Sequence, residues 1–568
     1  MRQIEPLIDF LHLLQISSLM RKLMMLLTLC FIFSLTFSQS KPINTSSAGK
    51  LRPKLVVGIV VDQMRWDYLY RFYDRYASNG AFKKFLNQGF SCENTLIPYT
   101  PTITACGHTC IYTGSVPAIH GITGNAWWDR EAARSVYCTE DATVKTVGAT
   151  GTSGEMSPKN LLVTTIADEL KLATNFRSKV IGIAIKDRGA ILPAGHAADA
   201  AYWFDGRSGN FVTSTYYMNQ EPAWVTAFNN RKLIKGYFEK GWNTLYPIET
   251  YVQSTKDDKP YEGKPFGAEQ RGFPYDLKKF ADKSYGTVSS TPYGNTLTIE
   301  MAKAAIENEK LGTDDITDML AISFSSPDYI GHAFGPNSIE AEDNYLRLDK
   351  EMGEFFTYLD SKIGKGEYLV FLSADHGVSH VPGFNIENKL PGGVIPDEKW
   401  SKEMNAAMLT QFGSDKLVVS NYNYQIHLNN KIIDSAKLDR AAIKKYIIGY
   451  LNKQPEISRA FDLEDLSGTT LNYKIKEMVS NGYYPKRGGD IQLVLQPGFI
   501  DGGATGTTHG SWNPYDAHVP MLFYGWKIKA GKISRETHMT DIAPTIAALL
   551  KIQNPSGNVG EAVEEVMK

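Results

Sequence analysis

The sequence predicts an α/β fold: a doubly wound, mostly parallel sheet with helices on both faces. Three observations lead there. Short apolar, β-branched runs recur along the 568-residue chain, as in strands buried on both faces. Helical patterns alternate with them, which favours parallel pairing. Asp and His residues follow directly on several of the runs, at the edge where such sheets collect ligands.

The expected strands cover residues 55–61, 179–185, 319–324, 368–373 and 519–524. Helices are expected over 161–172, 298–309 and 342–363. Two stretches differ in character. Residues 200–295 are rich in Tyr, Trp, Gly and Lys and lack clear periodicity. Residues 386–490 mix a helix candidate at 436–454 with short β-like pieces such as 417–426. Both are expected to be insertions that cap the sheet edge within one catalytic domain spanning 39–568. No internal repeat or low-complexity tract appears.

Hydrophobic residues make up 43% of the chain, enough for a large core. A formal charge of −1 and a pI near 6.8 leave no basic surface for nucleic acid, so any anion must be recognised locally. Met20-Arg21-Lys22 and the apolar run 23–37 have the layout of a secretory signal peptide, cut after Ser38 and starting at Met20. The run is short for a membrane span, which wants ~20 residues. A periplasmic monomer with no stable membrane span is the expectation. Cys92, Cys106, Cys110 and Cys138 remain after cleavage. They permit two disulfides in three pairings, or plain buried thiols.

The chemistry sits in separated pieces. Asp62 closes the first strand. Asp328 and His332 are four apart, on one face of a helical turn. Asp375-His376 follows the run 368–373, and His509 lies in a Gly-flanked loop. Three carboxylates and three imidazoles suit two divalent metals, most naturally Zn2+. Two metals side by side stabilise the entering and leaving oxygens of phosphoryl transfer. A nucleophilic hydroxyl should lie nearby, and Thr102, Thr104 and Thr109 flank the start of an expected helix, where free N–H groups suit an anion. Lys186 and Arg188 are read as extending the strand 179–185 with both cations on one face, positioned to hold phosphate oxygens. Asn125 could add an amide donor.

These residues resemble the alkaline phosphatase superfamily. The signature runs Thr104-Ala-Cys-Gly-His108, Thr113-Gly, His120-Gly, Gly124-Asn125, Asp328-x-x-x-His332, Asp375-His376-Gly377 and His509-Gly510. It is most similar to the nucleotide pyrophosphatase/phosphodiesterase-like branch. Lys186-x-Arg188 and Gly-Ile-Thr-Gly-Asn-x-Trp-Trp resemble the PafA-type periplasmic alkaline phosphatases within it. The resemblance implies Thr104 as nucleophile. It implies one zinc on Asp62, Asp375, His376 and the Thr104 oxygen, and a second on Asp328, His332 and His509. Asn125, Lys186 and Arg188 would contact the phosphoryl oxygens. The implied reaction is hydrolysis of small phosphate monoesters through a phosphothreonine, with phosphodiesterase or nucleotide pyrophosphatase activity as the alternative. A secreted binding protein without turnover is the remaining competitor. No Cys- or Ser-x-Pro-x-Arg segment supports a sulfatase.

Overall fold

All seven residues of strand β1 (Leu55–Val61) are buried, because its sequence LVVGIVV offers neither face to water. Burying an aliphatic side chain there contributes about 1.5–3 kcal/mol, so β1 belongs in mid-sheet. The computed structural model describes residues 51–281 and 283–568, and Arg52–Lys568 form one compact unit. The expected signal segment, residues 1–38, lies outside the described residues.

Around β1 the chain lays down β2 (Phe90–Leu96), α1 (Thr104–Thr113), β3 (Val180–Ala184), α2 (Asp187–Ala194), β4 (Ala200–Asp205), β5 (Asn210–Ser214), β6 (Asp318–Phe324), α3 (Ser326–Phe334), β7 (Tyr368–Ser373) and β8 (His518–Gly525). Of the eleven strands of the main sheet, these eight run in the order β2-β8-β7-β1-β6-β3-β4-β5. Its centre, β7-β1-β6-β3-β4, is parallel. The flanks are antiparallel: β8 pairs that way with β7 and β2, and β5 with β4. The segment expected at 519–524 is thus a strand of reversed direction, since β8 begins beside the end of β7, with Met521 opposite Ser373.

Register positions the chemistry. Val60 pairs with Ser373 and Ser323, and Ser323 with Ala184, so the carboxyl ends of β7, β1, β6 and β3 lie abreast. The residues that follow them (Asp375, Asp62, Asp328 and Lys186) leave one edge together.

Helix boundaries shift where caps intervene. The helix expected at 161–172 runs Ile166–Ala173, because Thr165 accepts from the Asp168 N–H in a capping box. Those expected at 298–309 and 342–363 run Tyr293–Glu309 and Ile339–Leu359. Residues 200–295 begin with β4 and β5, so this stretch also builds the main sheet. Within 386–490, Val418–Ser420, Gln425–Leu428 and Ile457–Asp462 join Ile491–Leu495 in a separate four-stranded sheet. That sheet packs on its own apolar cluster, including Trp400, Met404, Ile443 and Ile447.

Cys92, Cys106, Cys110 and Cys138 are buried free thiols. Burial pushes Cys92 and Cys138 up to about 12, far from the reactive thiolate. Alkylation in denaturant without reductant should therefore modify all four; recovery of any two as a cystine would contradict the fold.

Candidate active site

Helix α1 starts at Thr104 with Ile103 as an N-cap that offers no side-chain bond, so its first N–H groups face the sheet edge. Gly107 lets the helix lie there: a Cβ on it would sit 2.2 Å from the Asp375 carbonyl oxygen. Of the three threonines, Thr104 points its hydroxyl at the cluster, Oγ1 lying 3.3 Å from His376 Nε2. Thr102 Oγ1 donates to the Ser511 carbonyl at 2.9 Å, and Thr109 Oγ1 to the Ala105 carbonyl at 2.7 Å. Those two are structural.

Asp62, Asp375 and His376 are fully buried, and Asp328 nearly so. Asp62 Oδ1 and Asp375 Oδ2 have no hydrogen-bond partner. His376 Nε2 lies 3.6 Å from the first and 3.4 Å from the second. His332 and His509 aim Nε2 at Asp328 Oδ1, at 3.1 and 3.7 Å. The His376 and His509 rings stack, centroids 3.4 Å apart.

All three imidazoles are oriented in the same way. Nδ1 of His332 faces the Thr507 carbonyl at 2.8 Å, that of His376 the Gly377 carbonyl at 2.9 Å, and that of His509 the Thr102 carbonyl at 2.7 Å. A carbonyl only accepts, so each Nδ1 carries a hydrogen and each Nε2 is the nitrogen turned to the cluster. Metal-ligating histidines are held in this manner. Three ligand groups result: Asp328 with His332 and His509, Asp62 with Asp328 and His376, and Asp62 with His108 and Asp375.

His108 is the exception. Its Nδ1 also faces a carbonyl, that of Thr104 at 2.9 Å, but this is the atom 3.2 Å from Asp375 Oδ2. Its Nε2 bonds Ser323 Oγ at 2.7 Å. His108 therefore offers the cluster no lone pair and stands beside Asp375 with its Nδ1–H on the Thr104 carbonyl.

The electrostatics fit a cation site. Burial, then the neighbouring Asp375, pushes the Asp62 carboxyl well up. Burial acts on Asp328 in the same sense, but His332 and Lys186 overrule it and hold that carboxyl well down. Burial, with His376 and His332 alongside, keeps His509 well below the usual imidazole range.

Lys186 and Arg188 correct the strand reading. β3 ends at Ala184; Lys186 is the N-cap of α2 and Arg188 lies in its first turn. The Asp187 carboxylate accepts the Arg188 N–H at 2.6 Å and turns the chain into the helix. The two cations part accordingly. Lys186 Nζ reaches Asp62 Oδ2 at 2.7 Å and Asp328 Oδ2 at 2.6 Å. Arg188 Nη1 reaches neither carboxylate and instead donates to the Tyr137 hydroxyl at 3.0 Å, with Asp187 Oδ1 4.0 Å away. Asn125 Oδ1 accepts the Ala105 N–H at 3.1 Å, leaving its NH2 as a donor beside the helix start. The tip of the second insertion touches both sides of this region. Asn423 Nδ2 donates to the Ala126 carbonyl at 3.0 Å and the Tyr424 hydroxyl to the His509 carbonyl at 3.2 Å. Both residues hold positive φ, 59° and 58°. Trp127 is buried in the core beneath, with the Arg487 guanidinium 4.6 Å above its ring.

A hydroxyl on a helix N-terminus, facing carboxylates and imidazole nitrogens at the carboxyl edge of a parallel sheet, defines a class: α/β hydrolases built around metal ligands. Comparison with known proteins agrees. Residues 56–516 match the model of the type I phosphodiesterase / nucleotide pyrophosphatase family. Alkaline phosphatase PhoV of Synechococcus elongatus is 54% identical over 91% of this chain and 93% of its own length. A Myroides odoratus protein named calcium-transporting ATPase is 51% identical over 95% of this chain and 98% of its own. Alkaline phosphatase PafA of Elizabethkingia meningoseptica is 50% identical over 91% and 95%. The crystal structure of wild-type PafA superposes with a TM-score of 0.89, covering 91% of this chain and 99% of that one. The chain belongs to the type I phosphodiesterase / nucleotide pyrophosphatase family, and within it to the group of the PafA and PhoV alkaline phosphatases.

If cations neutralise the buried carboxylates, zinc added to the metal-free protein should raise Tm by roughly 5–15 °C. Calorimetry on chelator-treated protein measures this, and an unchanged Tm would leave the carboxylates to protons alone.

Proposed function

We propose that this protein is a secreted, periplasmic two-zinc phosphomonoesterase that hydrolyses small phosphate esters through a phosphothreonine. The observation that carries the reading is the Thr104 hydroxyl at the open start of α1, 3.3 Å from His376 Nε2. Likeness to named alkaline phosphatases supports it.

Asp62, Asp375 and His376, with Thr104 Oγ1, would hold one metal; Asp328, His332 and His509 would hold the other. When bound, the metals would supply Lewis-acid stabilisation for the entering and leaving oxygens. Thr104 Oγ1 attacks phosphorus in line and the ester oxygen leaves as the alcohol. Water then attacks the phosphothreonine from the vacated side, restoring the Thr104 hydroxyl and releasing phosphate. The N-terminal N–H groups of α1 and the Asn125 amide orient the phosphoryl oxygens. Lys186, no longer needed between Asp62 and Asp328, turns its charge to the substrate. Arg188, steadied by Tyr137, supplies a planar guanidinium.

A monoester is a dianion whose free oxygens can all take charged partners, and these two cations favour it over a diester. A variant of PafA with a threonine, an asparagine, a lysine and an arginine substituted has a crystal structure 49% identical in sequence to this chain. The same four residue types line the site proposed here. The family match keeps phosphodiester hydrolysis as the second reading.

The deciding assay compares kcat/KM on p-nitrophenyl phosphate and bis-p-nitrophenyl phosphate. We expect strong monoester preference; diester preference would move the protein to the second reading. Replacing Lys186 and Arg188 together by Ala should cost monoester activity about 1,000-fold or more, and diester activity far less. Equal losses would remove the cations from substrate binding. Thr104→Ala should abolish labelling by 32P-phosphate ester in rapid-quench experiments, whereas persistent label would place the nucleophile elsewhere.

A further inference from the structure

Gln63 immediately follows Asp62 and has no part in the scheme above. Three features single it out. Its φ is +66°, a left-handed backbone that a glutamine holds only where its surroundings enforce it. It is 2% exposed, yet its two donors both reach carboxylates of the cluster. The backbone N–H donates to Asp375 Oδ1 at 3.0 Å and side-chain Nε2 to Asp328 Oδ1 at 2.7 Å. Finally, α3 makes room for the amide: a Cβ on Gly331 would lie 1.8 Å from Gln63 Oε1. Gly331 sits between Asp328 and His332, where an alanine would otherwise suit a helix better.

We propose that Gln63 is a positioning residue that fixes the Asp328 carboxylate and, through its own backbone, the Asp375 carboxylate, so that one residue sets the spacing of the two metal sites. A carboxylate oxygen has two lone pairs, so an amide can hold one while a cation takes the other. The left-handed turn is what allows backbone and side chain of one residue to point at two carboxylates, one on α3 and one past the end of β7. The amide contributes direction without charge; a lysine there would compete with the metal, and an apolar side chain would take the amide hydrogen bond from Asp328 Oδ1. This inference rests on the two-zinc reading.

The pair of contacts makes the expected result asymmetric. Gln63→Gly removes the amide but keeps the N–H, and glycine adopts positive φ without steric cost. Zinc binding is followed by competition with a chromogenic chelator, and Tm is measured on the metal-free protein. Wild type should bind two zinc ions. In Gln63→Gly one of the two should bind about 10- to 100-fold more weakly, with the metal-free Tm unchanged within about 2 °C. Gly331→Ala, which evicts the amide from the opposite side, should weaken one ion in the same way. Gln63→Ala keeps the strained backbone without its compensation, and should lose both the zinc and some Tm.

Two outcomes overturn the proposal. In one, Gln63→Gly holds both ions as wild type does. In the other, its metal-free Tm falls in step with zinc affinity, the mark of a residue that merely packs. Failure of wild type to bind two zinc ions is scored separately, in the control. It removes the two-zinc reading and this inference with it.

Discussion

Three carboxylates share one dry place in this protein, and most of what surrounds them answers that constraint. Removing an ionised carboxylate from water costs several kcal/mol unless charge and hydrogen bonds replace the lost hydration. Asp62, Asp328 and Asp375 are carried there by sheet register, so they cannot retreat. Lys186 answers two of them directly. Asp375 is met by the N–H groups of Gln63 and His376, each at 3.0 Å. The three histidines turn Nε2 to the cluster, and each is anchored at its far nitrogen by a backbone carbonyl. All three anchors, Thr102, Gly377 and Thr507, belong to loops, so the cluster organises the loops as much as they organise it.

Where a residue's role follows from its immediate neighbours, the sequence discloses it. β1 and β7 coincide with the apolar runs because burial on both faces leaves no other reading. Asp328 and His332 meet through helical spacing, and both lie on α3. Long-range geometry is a different matter. The reversal of β8 depends on which edge its loop returns to, and apolar content is the same in either direction. Lys186 and Arg188 follow an apolar strand without a break in pattern, yet an aspartate side chain between them turns the chain into a helix.

His108 and Gln63 were harder to find for opposite reasons. His108 stands inside the recognisable motif, but its tautomer is set by a carbonyl one helical turn back and by Ser323 on another strand. Gln63 has no composition signal at all. Its backbone angle is a tertiary property, and the matching vacancy at Gly331 lies 268 positions further on (331 − 63). Both act through a carboxylate, which is why a reading confined to ligand types passes over them.

The tip of the second insertion bears on how such enzymes can diverge. Asn423 is fastened beside the loop that carries Asn125, and Tyr424 beside the one that carries His509. The two contacts are consecutive in sequence and both use left-handed backbone. An insertion attached in this manner is no interchangeable roof. Exchanging it for that of a cousin would import a new setting of the Asn125 amide and the His509 imidazole together. A substitution at either of these two positions would therefore be felt at the site as well as in the cap.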